Sequence, residues 1–318
     1  MSHPNDDYVW HGDDNEKCSS DSVLGKSTLL NWSLLEDPDV LEDCRTSLRE
    51  HGAAVVKNLA TPEGLEKLRS EVLSAPYNES KQHYTPWQDQ GDPVKYPESH
   101  PRNFRTHSSA AFVGRKTLEE ATTDGLCISV YNETKEEGRG DVGFGANRLL
   151  RFLSRVADER LYQSEDENGS VYCYRIHSEH NPPWHFDESP YTAILYLQNP
   201  EGGGDFEYVP WCRPTTSKDD PAGHEIVRRL VMETTLPNPL GTPGADDPLV
   251  KRIPIQPGSL LFFNGAKSFH RAAPTTGSAP RVGLVFTFGL AEGFENSQDV
   301  RSSNEWDPRD STHLVSGE

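Results

Sequence analysis

WHFDES, residues 184–189, and PGSLLFFNGAKSFHRAAPTTGSAPRVGLVFTFG, residues 257–289, are the stretches on which the fold turns. In the second, two apolar strand-like runs, SLLFFN and RVGLVFTFG, are separated by a polar turn. Further runs of the same kind lie around them: VYCYRIH from Val171, YTAILYLQ from Tyr191, GDFEYV from Gly204 and KRIPI from Lys251. Aromatic and β-branched residues dominate each run, and Gly and Pro punctuate them, so an antiparallel sandwich or barrel is expected between Val171 and Gly289. Arg213 to Pro248, full of Pro, Asp and Gly, reads as a long insertion. Upstream, Leu34, Leu35, Val40, Leu41 and Leu48 recur at helical spacing, Ala53 to Val56 reads as a buried strand, and Thr61 with Pro62 opens a second helix. Residues 76–110 show no period and read as a loop, followed by a third helix from Ala146 to Leu161. The expected organisation is one structural unit: an acidic tail (1–26), a helical buttress with an active-site loop (27–165), a mainly β core (166–291) and a C-terminal tail (292–318).

Composition narrows the partners. The 318 residues carry 50 acidic against 31 basic side chains, a net charge of −19, which repels nucleic acid and anionic lipid and favours a small-molecule ligand. Mean hydropathy is −0.72, and no apolar run approaches the roughly 20 residues of a membrane span. The acidic start MSHPNDDYVWHGDDNE has no apolar core, so a cytoplasmic protein is expected. Cys18, Cys44, Cys127, Cys173 and Cys212 include no CxxC pair and read as scattered thiols.

In an extended segment residues i and i+2 face one side, so His185 and Asp187 present an imidazole and a carboxylate to one point. His270 follows the strand SLLFFN and supplies a second imidazole. Two His and one carboxylate leave three adjacent octahedral positions open, as non-haem Fe(II) oxygenases require for a co-substrate and O2. An HxD alone arises by chance in many chains. Here Arg281 lies eleven residues after His270, at the head of an apolar strand. A hairpin between the two segments would carry it inward beside the metal, where a buried cation needs an anion such as the distal carboxylate of 2-oxoglutarate. The same three ligands would also suit a zinc hydrolase or a non-catalytic cupin-like sensor.

HFD, then GGGDFEYVP, then PGSLLFFNGAKSFHRAAPTTGSAPRVGLVF resembles the double-stranded β-helix (jelly-roll, cupin-like) core of Fe(II)/2-oxoglutarate-dependent dioxygenases. The resemblance covers roughly residues 171–290. It implies Fe(2+) bound by His185, Asp187 and His270, with 2-oxoglutarate bound by Arg281 and O2 as co-substrate. HPRNF, residues 100–104, together with a tryptophan in the C-terminal tail, is similar to the group containing free-amino-acid halogenases, hydroxylases and aziridine-forming oxygenases. In its halogenases Gly or Ala replaces the acidic ligand and leaves room for chloride. This chain keeps Asp187, so hydroxylation or oxidative cyclisation is implied.

Substrate contacts are expected from Arg102 and Arg105 (to a carboxylate), His180, Glu188, Val285, Thr287 and Trp306, the last as part of a lid. Arg281, Gly283, Val285 and Thr287 share one face of the last strand. A larger natural product or peptide is the competing substrate class.

Overall fold

Short, largely apolar strands between Val171 and Gly289 fold back on one another into facing sheets. The structure is a computed structural model that describes residues 29–121, 125–132, 147–233, 246–298 and 300–301. Its strands are β1 (Ala53–Val56), β2 (Asn78–Tyr84), β3 (Thr106–Gly114), β4 (Tyr162–Gln163), β5 (Val171–Ile176), β6 (Tyr191–Gln198), β7 (Gly202–Gly203), β8 (Phe206–Val209), β9 (Lys251–Ile253), β10 (Leu260–Phe263), β11 (Phe269–Ala272), β12 (Thr275–Thr276) and β13 (Arg281–Gly289). The major sheet runs β1-β10-β6-β13-β5-β3-β2, with β4 on the end of β13. Facing it are β11-β8-β9 and the short pair β12-β7. The chain passes from one sheet to the other between β5 and the His185 segment, back at β6, and again at β8, β10, β11 and β13. That is the jelly-roll, or double-stranded β-helix, order.

Each strand of the major sheet has one face toward the helices and one toward the jelly-roll interior. On β13, Val282, Leu284, Phe286 and Phe288 join the cluster that covers the helices, while Val285 joins the interior cluster with Tyr174, Ile194, Phe206 and Phe263. Burying such a side chain contributes roughly 1.5–3 kcal/mol each, so a one-residue slip of β13 would be prohibitive. The helical cover comprises α1 (Ser33–Glu36), α2 (Pro38–His51), α3 (Pro62–Ser74), α4 (Arg115–Ala121), α5 (Leu126–Asn132) and α6 (Arg148–Ala157). Asp37 caps α2 through the amide of Asp39 at 2.9 Å, and Thr61 caps α3 through the amide of Gly64 at 2.9 Å, each followed by a proline at the first helical position.

Three expectations change. Residues 76–110 are not a continuous loop: β2 and β3 pair with each other, and β3 joins β5 to extend the major sheet. β2 is the sheet's edge and exposes Glu79, Lys81 and His83, so its sequence carries no apolar alternation to read. The segments carrying His270 and Arg281 do not form a hairpin. β11 pairs with β8, whereas β13 pairs with β5 and β6, because β12 diverts the chain across to β7 before it enters the major sheet. Finally, the insertion contains α7 (Pro221–Val227) and a π turn at Arg228–Met232, which bury Ile226, Val227 and Leu230 against Trp87, Trp184, Phe186 and Phe269. The tail of residues 1–26, residues 234–245 and the stretch from residue 302, with Trp306, lie outside the described residues. No helix among the described residues is long and apolar enough to cross a membrane.

Candidate metal centre

The segment Trp184–Asp187 alternates between two environments. Trp184 and Phe186 are buried, each packing on Phe269 with ring centroids 5.4 and 4.8 Å away. That anchoring turns His185 and Asp187 into the cavity between the sheets. His185 and His270 exchange both backbone hydrogen bonds, at 2.9 and 3.0 Å, which sets their rings 4.4 Å apart. The Asp187 amide donates to the Gly265 carbonyl at 3.1 Å. Both imidazole Nε2 atoms lie 3.5 Å from Asp187 Oδ1, and the ligating atoms of the three residues all fall within 4.8 Å of one another.

Backbone carbonyls fix the tautomers. His185 Nδ1 lies 2.9 Å from the Pro183 carbonyl and His270 Nδ1 2.9 Å from the Ser268 carbonyl. A carbonyl only accepts, so each Nδ1 carries the proton and each Nε2 can present its lone pair to the shared point. Burial alone would raise the Asp187 carboxyl. Protonation of the two imidazoles, His270 first, would reverse this through charge and hydrogen bonds and hold it well below the usual carboxylate range. A divalent cation would supply charge of the same sign at the same place.

Arg281 enters the same cavity from β13 and is 2% exposed. Its guanidinium lies over the rings of Tyr174 and Tyr196, 4.7 and 5.2 Å from their centroids, and Nη2 donates to the Tyr196 hydroxyl at 3.4 Å. Among the described residues its Nε has no partner, and neither does the buried Tyr174 hydroxyl beside it. Gly283 is what makes room there: a Cβ at that position would stand 2.2 Å from the Tyr174 oxygen. The cavity has a volume of about 130 Å³, some ten times what one water needs.

The expected site residues divide into two groups. His185, Asp187, His270, Arg281 and Val285 line one cavity. Arg102 instead closes a buried ion pair with Asp89, at 2.9 and 3.1 Å. Arg105 is exposed and donates to the Gln90 carbonyl at 3.1 Å. His180 is buried with Nδ1 3.2 Å from both the Arg175 carbonyl and the His177 amide. Glu188 accepts from Lys218 at 2.8 Å and from the amide and hydroxyl of Ser297 at 2.7 and 2.8 Å. Thr287 donates to the Gly169 carbonyl at 2.9 Å. None of these five lines the cavity.

Cavity residues that sequence reasoning passed over include Tyr84, Ser108, Tyr172, Tyr174 and Thr192. Tyr172 and Tyr174 lie two apart on β5, so strand periodicity alone would have placed them on one face. Tyr84 and Ser108 come from the stretch read as loop. The Tyr84 hydroxyl donates to Ser108 Oγ at 2.9 Å, and burial, with Asp187 nearby, pushes its pKa up to about 12, so the phenol stays neutral.

Residues 141–307, more than half of the chain, match the family described as halogenase D (HalD). The chain belongs to the halogenase D family. The matched region includes every strand from β4 to β13, and with them His185, Asp187, His270 and Arg281. No curated protein matches this halogenase D family member. Among solved structures it is similar to HygX from Streptomyces hygroscopicus with nickel and 2-oxoglutarate bound: 17% identity over 78% of this chain and 86% of that one, TM-score 0.47. AviO1 from Streptomyces viridochromogenes is 11% identical over 80% and 96%, with a TM-score of 0.48. A 2OG-Fe(II) oxygenase family oxidoreductase from Burkholderia pseudomallei is 13% identical over 79% and 91%, with a TM-score of 0.43.

Proposed function

We propose that the chain is an Fe(II)- and 2-oxoglutarate-dependent oxygenase acting on an unactivated C–H bond of a small molecule. The observation that carries this reading is the meeting of three ligating side chains within 4.8 Å in the cavity that also receives Arg281 with an unpartnered Nε. The residues fit the groups they would hold. Two neutral imidazoles and a carboxylate suit ferrous iron with open positions. The Arg281 Nε and the Tyr174 hydroxyl, both buried without a hydrogen-bond partner, suit the far carboxylate of 2-oxoglutarate.

When bound, iron and 2-oxoglutarate activate O2 into an oxidant able to break such a bond, with succinate and CO2 as co-products. The chain's own residues bind, orient and exclude water. His185, Asp187 and His270 hold the cation on one side. Arg281 fixes the keto acid by its far end. Phe206, Phe263, Ile194 and Val285 keep the cavity wall apolar.

A free amino acid is the substrate class the sequence resemblance supports. By the sequence resemblance, Asp187 stands where halogenating relatives carry Gly or Ala and leave room for chloride, which favours hydroxylation or oxidative cyclisation over halogenation. Since Arg102 is engaged by Asp89, the polar groups the cavity offers such a substrate include the hydroxyls of Tyr84, Ser108 and Tyr172.

The test is incubation with Fe(II), 2-oxoglutarate and O2, reading succinate, across a panel of free amino acids read by mass. Succinate should form, with a product that gains one oxygen or loses two hydrogens. Absence of succinate under every condition, uncoupled turnover included, would overturn the oxygenase reading. Succinate without any altered amino acid would overturn only the substrate class.

A further inference from the structure

The two carboxylate oxygens of Asp187 live in different surroundings. Oδ1 faces both imidazoles at 3.5 Å. Oδ2 turns the other way and accepts a hydrogen bond from Thr192 Oγ1 at 2.7 Å. It also fills the space that a side chain on residue 265 would need: a Cβ built there would lie 2.1 Å from Oδ2, 2.7 Å from Cγ and 2.8 Å from Cβ of Asp187.

Gly265 is not among the glycines with positive φ, so its backbone does not call for glycine. The carboxylate does. Nor can Asp187 easily give way, because its amide is tied to the Gly265 carbonyl at 3.1 Å and the neighbouring His185–His270 bridge holds the ligand segment in register. Thr192 is equally fixed. It is 3% exposed on β6, between Phe263 of β10 and Thr287 of β13, and its oxygen lies 3.2 Å from Ser189 Oγ. A hydroxyl has one proton to give. Asp187 takes it, and Ser189 can then donate to Thr192.

We propose that Thr192 and Gly265 are positioning residues that hold Asp187 as a one-oxygen metal ligand, with Oδ1 committed to the metal and Oδ2 committed to the protein. This rests on the metal assignment above. With both oxygens engaged, the carboxylate would take a fourth coordination position. Anchoring Oδ2 leaves three for co-substrates. The cradle also accounts for residues that neither the ligand set nor the keto-acid pocket uses.

The experiment is a titration of metal-free protein with Co(II), followed by its visible absorption, for wild type, Thr192→Val, Thr192→Ser and Gly265→Ala, with thermal unfolding of each metal-free variant alongside. The same Thr192 and Gly265 substitutions are repeated in an Asp187→Gly background. Thr192→Val should weaken Co(II) binding by about 10- to 100-fold, the usual cost of losing a hydrogen bond that orients a metal ligand. Thr192→Ser should restore it, and Gly265→Ala should lose at least as much as Thr192→Val. In the Asp187→Gly background neither change should cost further affinity, since the carboxylate they seat is gone. Equal affinity in Thr192→Val and wild type would overturn the proposal. So would a lowered melting temperature with unchanged affinity, or the same loss in both backgrounds. If His270→Ala bound Co(II) as tightly as wild type, the metal assignment itself would fall, which is a different result from failure of the cradle.

Discussion

Arg281 and Arg102 are both buried arginines, 2% and 5% exposed, yet the protein treats their charges in opposite ways. Arg102 is saturated. Two of its nitrogens meet Asp89, Lys218 adds a second cation to that carboxylate at 3.0 Å, and Lys218 reaches on to Glu188 at 2.8 Å. This network ties the stretch before β3, the insertion and the metal-binding segment together. Arg281 has aromatic faces and one hydroxyl contact but no carboxylate partner among the described residues. Arg102 is thus part of the scaffold, whereas Arg281, buried in the cavity beside the three ligating side chains without an anion, is the cation that a ligand carboxylate would fit under the function proposed above.

The contrast can be broken most directly at Arg281. Replacing it by Met should weaken 2-oxoglutarate binding by on the order of 10- to 100-fold, the value of a lost charge-assisted pair. Calorimetric titration of metal-loaded protein measures this, and an unchanged affinity would end the cofactor role. The same substitution should leave the stability of the ligand-free protein nearly unchanged or higher, because no carboxylate is orphaned and only the long 3.4 Å bond to the Tyr196 hydroxyl is lost.

Arg102→Met should do the reverse. Asp89 would keep Lys218 but lose its bidentate partner, so a loss of about 3 kcal/mol is expected in urea unfolding, at the lower end for a broken buried pair. Stability equal to wild type would mean that Arg102 is not part of the scaffold.

A third measurement uses acid. Burial works to raise the Asp89 carboxyl, but the bonds from Arg102 and Thr85 and the charge of Lys218 outweigh it and hold the pKa down at about 2, against an ordinary 3.8. A folded value below the unfolded one stabilises fully above the higher figure and is lost as pH falls toward the lower one. Wild type should therefore lose stability between about pH 4 and pH 2, and Asp89→Asn should flatten that slope. An identical slope in the variant would place the acid sensitivity elsewhere.

The smallest effect is expected at Lys218. Its side chain is 36% exposed, so solvent screens its two ion pairs, and Lys218→Met should cost only about 0.5–1 kcal/mol. A loss as large as that of Arg102→Met would make the lysine the centre of the network.

Much of the jelly roll was legible because strands write themselves locally. β6 and β13 fall at the bounds of the aromatic and β-branched runs that mark them, and Thr61 and Pro62 mark the start of α3 as capping chemistry requires. The edge strand β2 was not legible, since its exposed Glu79, Lys81 and His83 leave no apolar face to detect. Nor was the crossing at β12, whose two residues pair with the equally short β7. In the site, His185 and Asp187 could be read from a two-residue period, while the partnership of Thr192 and Gly265 with Asp187 joins residues from three separate segments.

The sequence by itself determined which side chains share a strand face and which residues have the chemistry to bind a metal or an anion, because pleat and ligand type are properties of the local chain. Which buried arginine is free and which is spent was decided only by the tertiary structure. A charge is satisfied by whatever the fold brings within a few ångströms of it, and Asp89 and Lys218 reach the Arg102 network from positions 13 and 116 residues away along the chain.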